Sequence, residues 1–137
     1  MKTLRLMLIC VAAFVAAACS GKKDGLQPED VVAGFHQALT SLEFDKAAEY
    51  CCEAEAKEYV NAFEKAYETA RTRDEGATQI AIGMLHYAAV TVDDIERNKE
   101  TRTVFYTIGD GCGNTKNKIA VLKDVEGEWK IAEIKDR

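Results

Sequence analysis

The chain has 137 residues and is acidic, with 23 Asp and Glu against 18 Lys and Arg for a net charge of −5. That length suits one domain, and the absence of a basic run makes nucleic acid or an anionic headgroup surface a poor partner. The two histidines stand fifty residues apart and neither HExxH nor CxxC occurs, so no metal motif is present and no cofactor is expected.

Residues 1–18 read as an export signal. Lys2 and Arg5 precede an apolar run from Leu6 to Val15, and the small residues Ala16, Ala17 and Ala18 lead into Cys19. The run is too short to span the roughly 30 Å hydrocarbon core as a helix. A cysteine directly after the small residues resembles a bacterial lipoprotein signal, although Ala16 departs from the leucine preferred there. The resemblance implies cleavage before Cys19, acylation of its thiol, and a bilayer as first partner. Loss of Lys2 and Arg5 leaves 16 cations against 23 acids in the mature chain, net −7. Residues 19–27 form a tether that, if flexible, spans roughly 15 Å. By analogy, Ser20 after the lipid cysteine points to the outer rather than the inner membrane of the cell envelope.

Residues 28–134 read as an α+β domain, followed by a tail at 135–137. Pro28 suits a first helical turn, where its missing N–H costs nothing, and Glu29 and Asp30 complement the helix dipole. Val31, Phe35, Ala38, Leu39 and Leu42 then recur at helical spacing. A short second helix is expected from Phe44 to Cys51. A third starts near Ala54, with Ala56, Tyr59, Val60, Phe63, Ala66, Tyr67 and Ala70 on one side. Thr72–Gly76 breaks it, and Thr78–Met84 is either a further helical turn or a covering loop. From His86 the pattern changes to β-branched and aromatic residues: strands are expected at His86–Ile95, Thr101–Ile108, Lys116–Lys123 and Glu128–Ile134, joined by short turns and therefore antiparallel. Val104, Tyr106 and Ile108 share one face of the second strand, and Phe105 lies on the other. Helices first and sheet second give three helices packed on a four-stranded antiparallel sheet.

Pro28-Glu29-Asp30-Val31-Val32, Phe35, Ala38-Leu39 and Phe44-Asp45-Lys46-Ala47-Ala48-Glu49-Tyr50 resemble the opening of the nuclear transport factor 2-like (cystatin-like) superfamily, and Gly127-Glu128-Trp129-Lys130-Ile131 resembles its closing strand. Within it the chain looks most like small bacterial lipoproteins of the lumazine-binding-like type. The resemblance implies a cone of three helices wrapped by a curved sheet, with a pocket at the wide end. Its members include isomerases, cyclases and many binding domains, so function is argued from the site.

The cysteines are the sharpest candidates. Cys10 leaves with the signal and Cys19 carries lipid, so Cys51, Cys52 and Cys112 remain in a compartment that permits disulfides. Cys51 or Cys52, by preference Cys51, is expected to bond Cys112, closing a loop worth roughly 4 kcal/mol, against the alternative of three packed thiols. Tyr50, Tyr59, Tyr67, Tyr87 and Tyr106 offer hydroxyls for an isomerase, but no local motif gives any of them a role. His36 and His86 read as structural. Gly109–Asn114 reads as a hairpin loop, since a phosphate cradle would need a helix after it. No catalytic residue is assigned. The reading is a non-enzymatic envelope domain that binds a small apolar ligand or a protein partner. The alternatives are an isomerase- or cyclase-type enzyme using the cone pocket and a homodimer formed through the sheet face.

Overall fold

The structure, a computed structural model, describes residues 25–110 and 112–137. The expected signal segment, Cys10 and Cys19 lie outside the described residues. Among the described residues four helices precede four strands: α1 Pro28–Thr40, α2 Phe44–Glu49, α3 Ala54–Arg73, α4 Glu75–Tyr87, then β1 Val90–Arg97, β2 Thr101–Gly109, β3 Thr115–Val125 and β4 Glu128–Asp136. The sheet is antiparallel throughout, in the order β1-β2-β3-β4. This is the expected α+β architecture with one helix more than the three expected.

The extra helix has a local cause. The backbone of Asp74 leaves the helical path, and its carboxylate accepts a hydrogen bond from the Ala77 N–H at 2.9 Å. That satisfies a donor at the start of a new helix, so the break at Thr72–Gly76 is one residue wide rather than a loop. The new helix then runs on through His86 and Tyr87, because Leu85 continues the three- and four-residue spacing of Thr78 and Ile82. The first strand accordingly begins at Val90 rather than His86.

Helix α1 supplies the centre of the core. Val31, Val32, Phe35, Ala38 and Leu39 are buried on one side, and Leu42 takes a left-handed φ of 61° to turn the chain into α2. They pack on the inward face of the sheet, where Val104, Ala120, Leu122 and Ile131 have no exposed surface. Cross-strand partners lie on the same side of a sheet. Ile95, Val104, Ala120 and Ile134 therefore form one inward row, and Leu122 with Ile131 part of the next.

Both outer strands carry a bulge. The register skips Asp93 in β1 and Ala132 in β4. One extra residue bends the strand and restores phase, so Val90, Val92 and Ile95 all reach the same face despite their uneven spacing. The β3–β4 turn has Glu126 at φ 55° and Gly127 at φ 88°, two left-handed residues in sequence as a tight hairpin of right-twisted strands requires. Strand β4 continues through Asp136, so residues 135 and 136 belong to the sheet rather than to a tail.

Candidate functional site

One charged cluster points into the fold. Tyr106, Lys118 and Asp136 are consecutive cross-strand partners on β2, β3 and β4, so all three face the helices. The Lys118 ammonium donates to Asp136 Oδ1 at 2.5 Å and lies 5.4 Å from the centre of the Tyr59 ring on α3. Burial pushes the Tyr106 phenol well up from its ordinary range, with Tyr59 and Asp136 adding to the shift. Burial acts to lower the Lys118 pKa, but the bond from Asp136 and the nearby Tyr59 outweigh it and the net shift is upward. Asp136 is held below the ordinary carboxylate range, first by its hydrogen bond with Lys118 and then by that charge. The ion pair is therefore fixed at neutral pH, with neither member poised to take or give a proton. Asp110, the other carboxylate with a clear shift, also moves down, held by the Asn114 side chain and the Cys112 N–H. An isomerase base calls for a carboxylate shifted up.

The two halves of that pair are unequal. The Lys118 side chain is 13% exposed and that of Asp136 is 81% exposed. Removing Asp136 strands a sheltered cation, whereas removing Lys118 returns a carboxylate to water. Asp136→Ala is expected to lower the urea unfolding midpoint clearly, and Lys118→Met to leave it nearly unchanged. Equal losses would show that the pair is not sheltered from water.

An apolar opening lies between α3 and α4, apart from the more polar openings that the sheet shares with the start of α1 around Trp129. It has a volume of about 200 Å³ and is walled by Phe63, Ala66 and Ala70 of α3 and by Ala81, Ile82 and Leu85 of α4, with Tyr67 and Thr78 completing it. The alanines leave the space and the larger side chains give it walls. No charged side chain lines it. Gln79 Nε2 donates to the Tyr67 hydroxyl at 3.3 Å, and Thr78 donates to the Asp74 carbonyl at 2.7 Å, which spends its hydroxyl on its own helix.

Both histidines contact Thr40, whose hydroxyl donates to the His36 carbonyl at 3.1 Å. His86, in the last turn of α4, places Nδ1 3.3 Å from the Thr40 hydroxyl and 3.4 Å from that of Ser41. His36 Nε2 is buried without a hydrogen-bond partner, and burial pushes its pKa down from 6.5. The folded state therefore resists a proton that the unfolded chain takes up, so this contribution to stability is full above about pH 6.5 and falls away below it. Urea midpoints are expected to drop from pH 7 toward pH 5, and His36→Phe to flatten that slope. An unchanged slope in the variant would assign the loss to other groups.

The expected bond between Cys51 and Cys112 does not form. All three described cysteines are thiols. Cys51 pairs with Ile131 at the edge of β4 and donates to the Ala47 carbonyl at 3.6 Å. Cys112 sits in the β2–β3 loop, its sulfur 3.7 Å from that of Met84. Ile131 faces Leu122, seven residues along β3 from the loop end at Thr115, so the two thiols lie on the order of 20 Å apart, far beyond disulfide reach. Cys52 is half-buried, its thiol directed at the Lys130 carbonyl. Burial raises the Cys51 thiol to about 11, which keeps it protonated and inert.

The glycine-rich loop closes on Asp110, whose carboxylate accepts from the backbone N–H groups of Cys112 and Asn114 and from the Asn114 side chain. It is the hairpin loop between β2 and β3. Phe105, on the outward face, lies beneath Arg137, whose guanidinium is 5.9 Å from the ring centre. Neither Lys118 nor the α3–α4 opening stands out in the sequence as a site. Lys118 has a usable signal: it shares the alternation of Ala120 and Leu122, and so must face inward with them. The opening has none, because it depends on how α4 folds back.

No protein-family model and no curated protein matches the chain. Among solved structures, it is similar over 82% of its length to an NTF2-like protein of unknown function from Cytophaga hutchinsonii, covering 91% of that chain at 15% identity with a TM-score of 0.45.

Proposed function

We propose that this is a lipid-anchored envelope protein whose α+β body binds a small apolar molecule, such as an acyl chain or an aromatic ring, in the opening between α3 and α4. The observation that carries the reading is that opening: uncharged, about 200 Å³, and bounded on one side by a helix with a single buried residue. A cavity of that order holds one ring or a short hydrocarbon segment and excludes a peptide helix. The inward ion pair supports a non-enzymatic role, since Lys118 and Asp136 neutralise each other rather than act on a bound group. Attachment through an acylated Cys19 places the body at a membrane surface, the outer membrane by the analogy of Ser20.

The experiment is titration of the full chain with N-phenyl-1-naphthylamine, read by fluorescence. Saturable binding is expected, and Ala66→Phe and Ala81→Phe, which fill the opening, are each expected to weaken it at least tenfold without changing the far-ultraviolet circular dichroism. Binding unchanged in both filled variants would place the probe elsewhere and overturn the reading. The anchor is tested separately. Cys19→Ala should abolish labelling by radioactive palmitate and release the protein from the membrane fraction.

A further inference from the structure

Helix α4 has a second apolar face that, among the described residues, meets little besides Cys112 beside Met84. Thr78, Ile82 and Leu85 turn toward α3. On the other side Ala77, Ile80, Met84 and Tyr87 follow one another at spacings of three, four and three residues, which keeps them on one stripe. Ile80 is 65% exposed, Met84 41% and Tyr87 89%. Gly76 and Gly83 lie on the same side, and a side chain built at Gly83 would meet nothing within 4 Å. The helix packs on α3 and α1 and makes little contact with the sheet. Of its thirteen residues only Glu75 is a Lys, Arg, Asp or Glu, in a chain that is 30% charged. A surface helix is ordinarily polar on its outward side, and an apolar outward stripe marks a contact.

We propose that this stripe is the seat of a second copy of the chain, with the two α4 helices packed antiparallel about a two-fold axis that crosses the stripe between Ile80 and Met84. The stripe complements its own reversal. Its small residues, Gly76 and Ala77, stand at one end and its largest, Tyr87, at the other. Reversing one copy therefore lays each Tyr87 over the partner's Gly76 and Ala77, and each Ile80 against the partner's Gly83 and Met84. An interface on a two-fold axis requires self-complementarity of this kind. Antiparallel packing also sets opposite helix-dipole ends side by side.

A bilayer fits less well as the occupant. The N-terminal segment enters the described body at Gly25, close against the Gly127 carbonyl in the β3–β4 turn. The stripe lies beside Cys112 at the β2–β3 loop, the far end of the eleven-residue β3. An anchor at one end holds the stripe on the order of 35 Å away at the other. The three exposed side chains offer on the order of 400 Å² per copy, so with their small neighbours the pair falls at the low end of specific interfaces. The association is accordingly reversible, not obligate.

The test uses cells producing the full chain in a Cys112→Ser background, with single cysteines introduced on the stripe by Ile80→Cys, Gly83→Cys or Met84→Cys and, as a control, at the opposite end by Lys123→Cys. After mild oxidation, a species of doubled mass is expected from the three stripe positions and not from Lys123→Cys. Mixed isotopic labelling should show that the bonded peptides come from two chains. Adding Tyr87→Ala to Gly83→Cys is expected to cut the yield severalfold while leaving monomer abundance unchanged. The proposal is overturned if maleimide-reactive cysteines on the stripe give no doubled species, if Lys123→Cys bonds equally well, or if the stripe crosslinks to a protein of another mass. The naphthylamine opening is on the other side of α4, so its binding result stands apart from this one.

Discussion

Phe35→Ala is expected to destabilise the fold by about 3–5 kcal/mol, the largest single loss in the chain. Phe35 is 2% exposed, lies in the middle of α1, and sets its ring 6.2 Å from that of Tyr59 on α3. It therefore touches both the inward face of the sheet and the long helix. Truncation leaves a void bounded by rigid strands that cannot close over it. The melting temperature should fall by more than about 10 °C, read by thermal circular dichroism, with the urea slope unchanged. Phe35→Leu, which keeps most of the volume, should lose less than half as much. A loss under about 1 kcal/mol for the alanine variant would mean that α1 can move to fill the gap.

Ile131→Ala is expected to cost about 2–4 kcal/mol for a different combination of reasons. The side chain is fully buried beside Leu122, while its backbone N–H donates to the Tyr50 carbonyl at 2.7 Å and its carbonyl accepts from the Cys52 N–H at 2.8 Å. Those two bonds survive the substitution, so the loss measures packing alone. Cys51 lies directly opposite Ile131 and is 7% exposed. Combining Ile131→Ala with Cys51→Ala should therefore fall short of additivity by at least about 0.5 kcal/mol in a urea double-mutant cycle. Strict additivity would show that the two side chains do not share a cavity.

A segment governed by a single periodicity is legible in the sequence. Pro28 and the spacing of Val31, Phe35 and Leu39 located α1 because helix start and buried face agree there. Alternation puts Val104, Tyr106 and Ile108 on one face of β2, and the structure makes that face the inward one. At α4 the sequence places a break at Thr72–Gly76 and leaves both a helical turn and a covering loop open for Thr78–Met84. A helix with apolar residues on both sides shows little periodicity, and the cap that starts it is one aspartate side chain. The bulges at Asp93 and Ala132 were equally hidden, since they appear only against a partner strand. The cysteine pairing failed because a shared helical face says nothing about distance along the sheet. Of the candidate site, Lys118 was readable from its phase with Ala120, whereas the α3–α4 opening is a product of tertiary packing.

The Tyr50–Cys52 segment has a consequence beyond the stability of β4. A sheet with two outer strands offers two rows of unpaired peptide groups to any extended chain it meets, which is the starting point of runaway stacking. Here one rim is occupied at its middle by the protein's own backbone, through Tyr50 and Cys52. The other rim is broken by the kink at Asp93 and carries two adjacent negative charges, Asp93 and Asp94. Foreign strands therefore find no straight, neutral ledge to join, and the sheet stays at four strands even where the protein is concentrated.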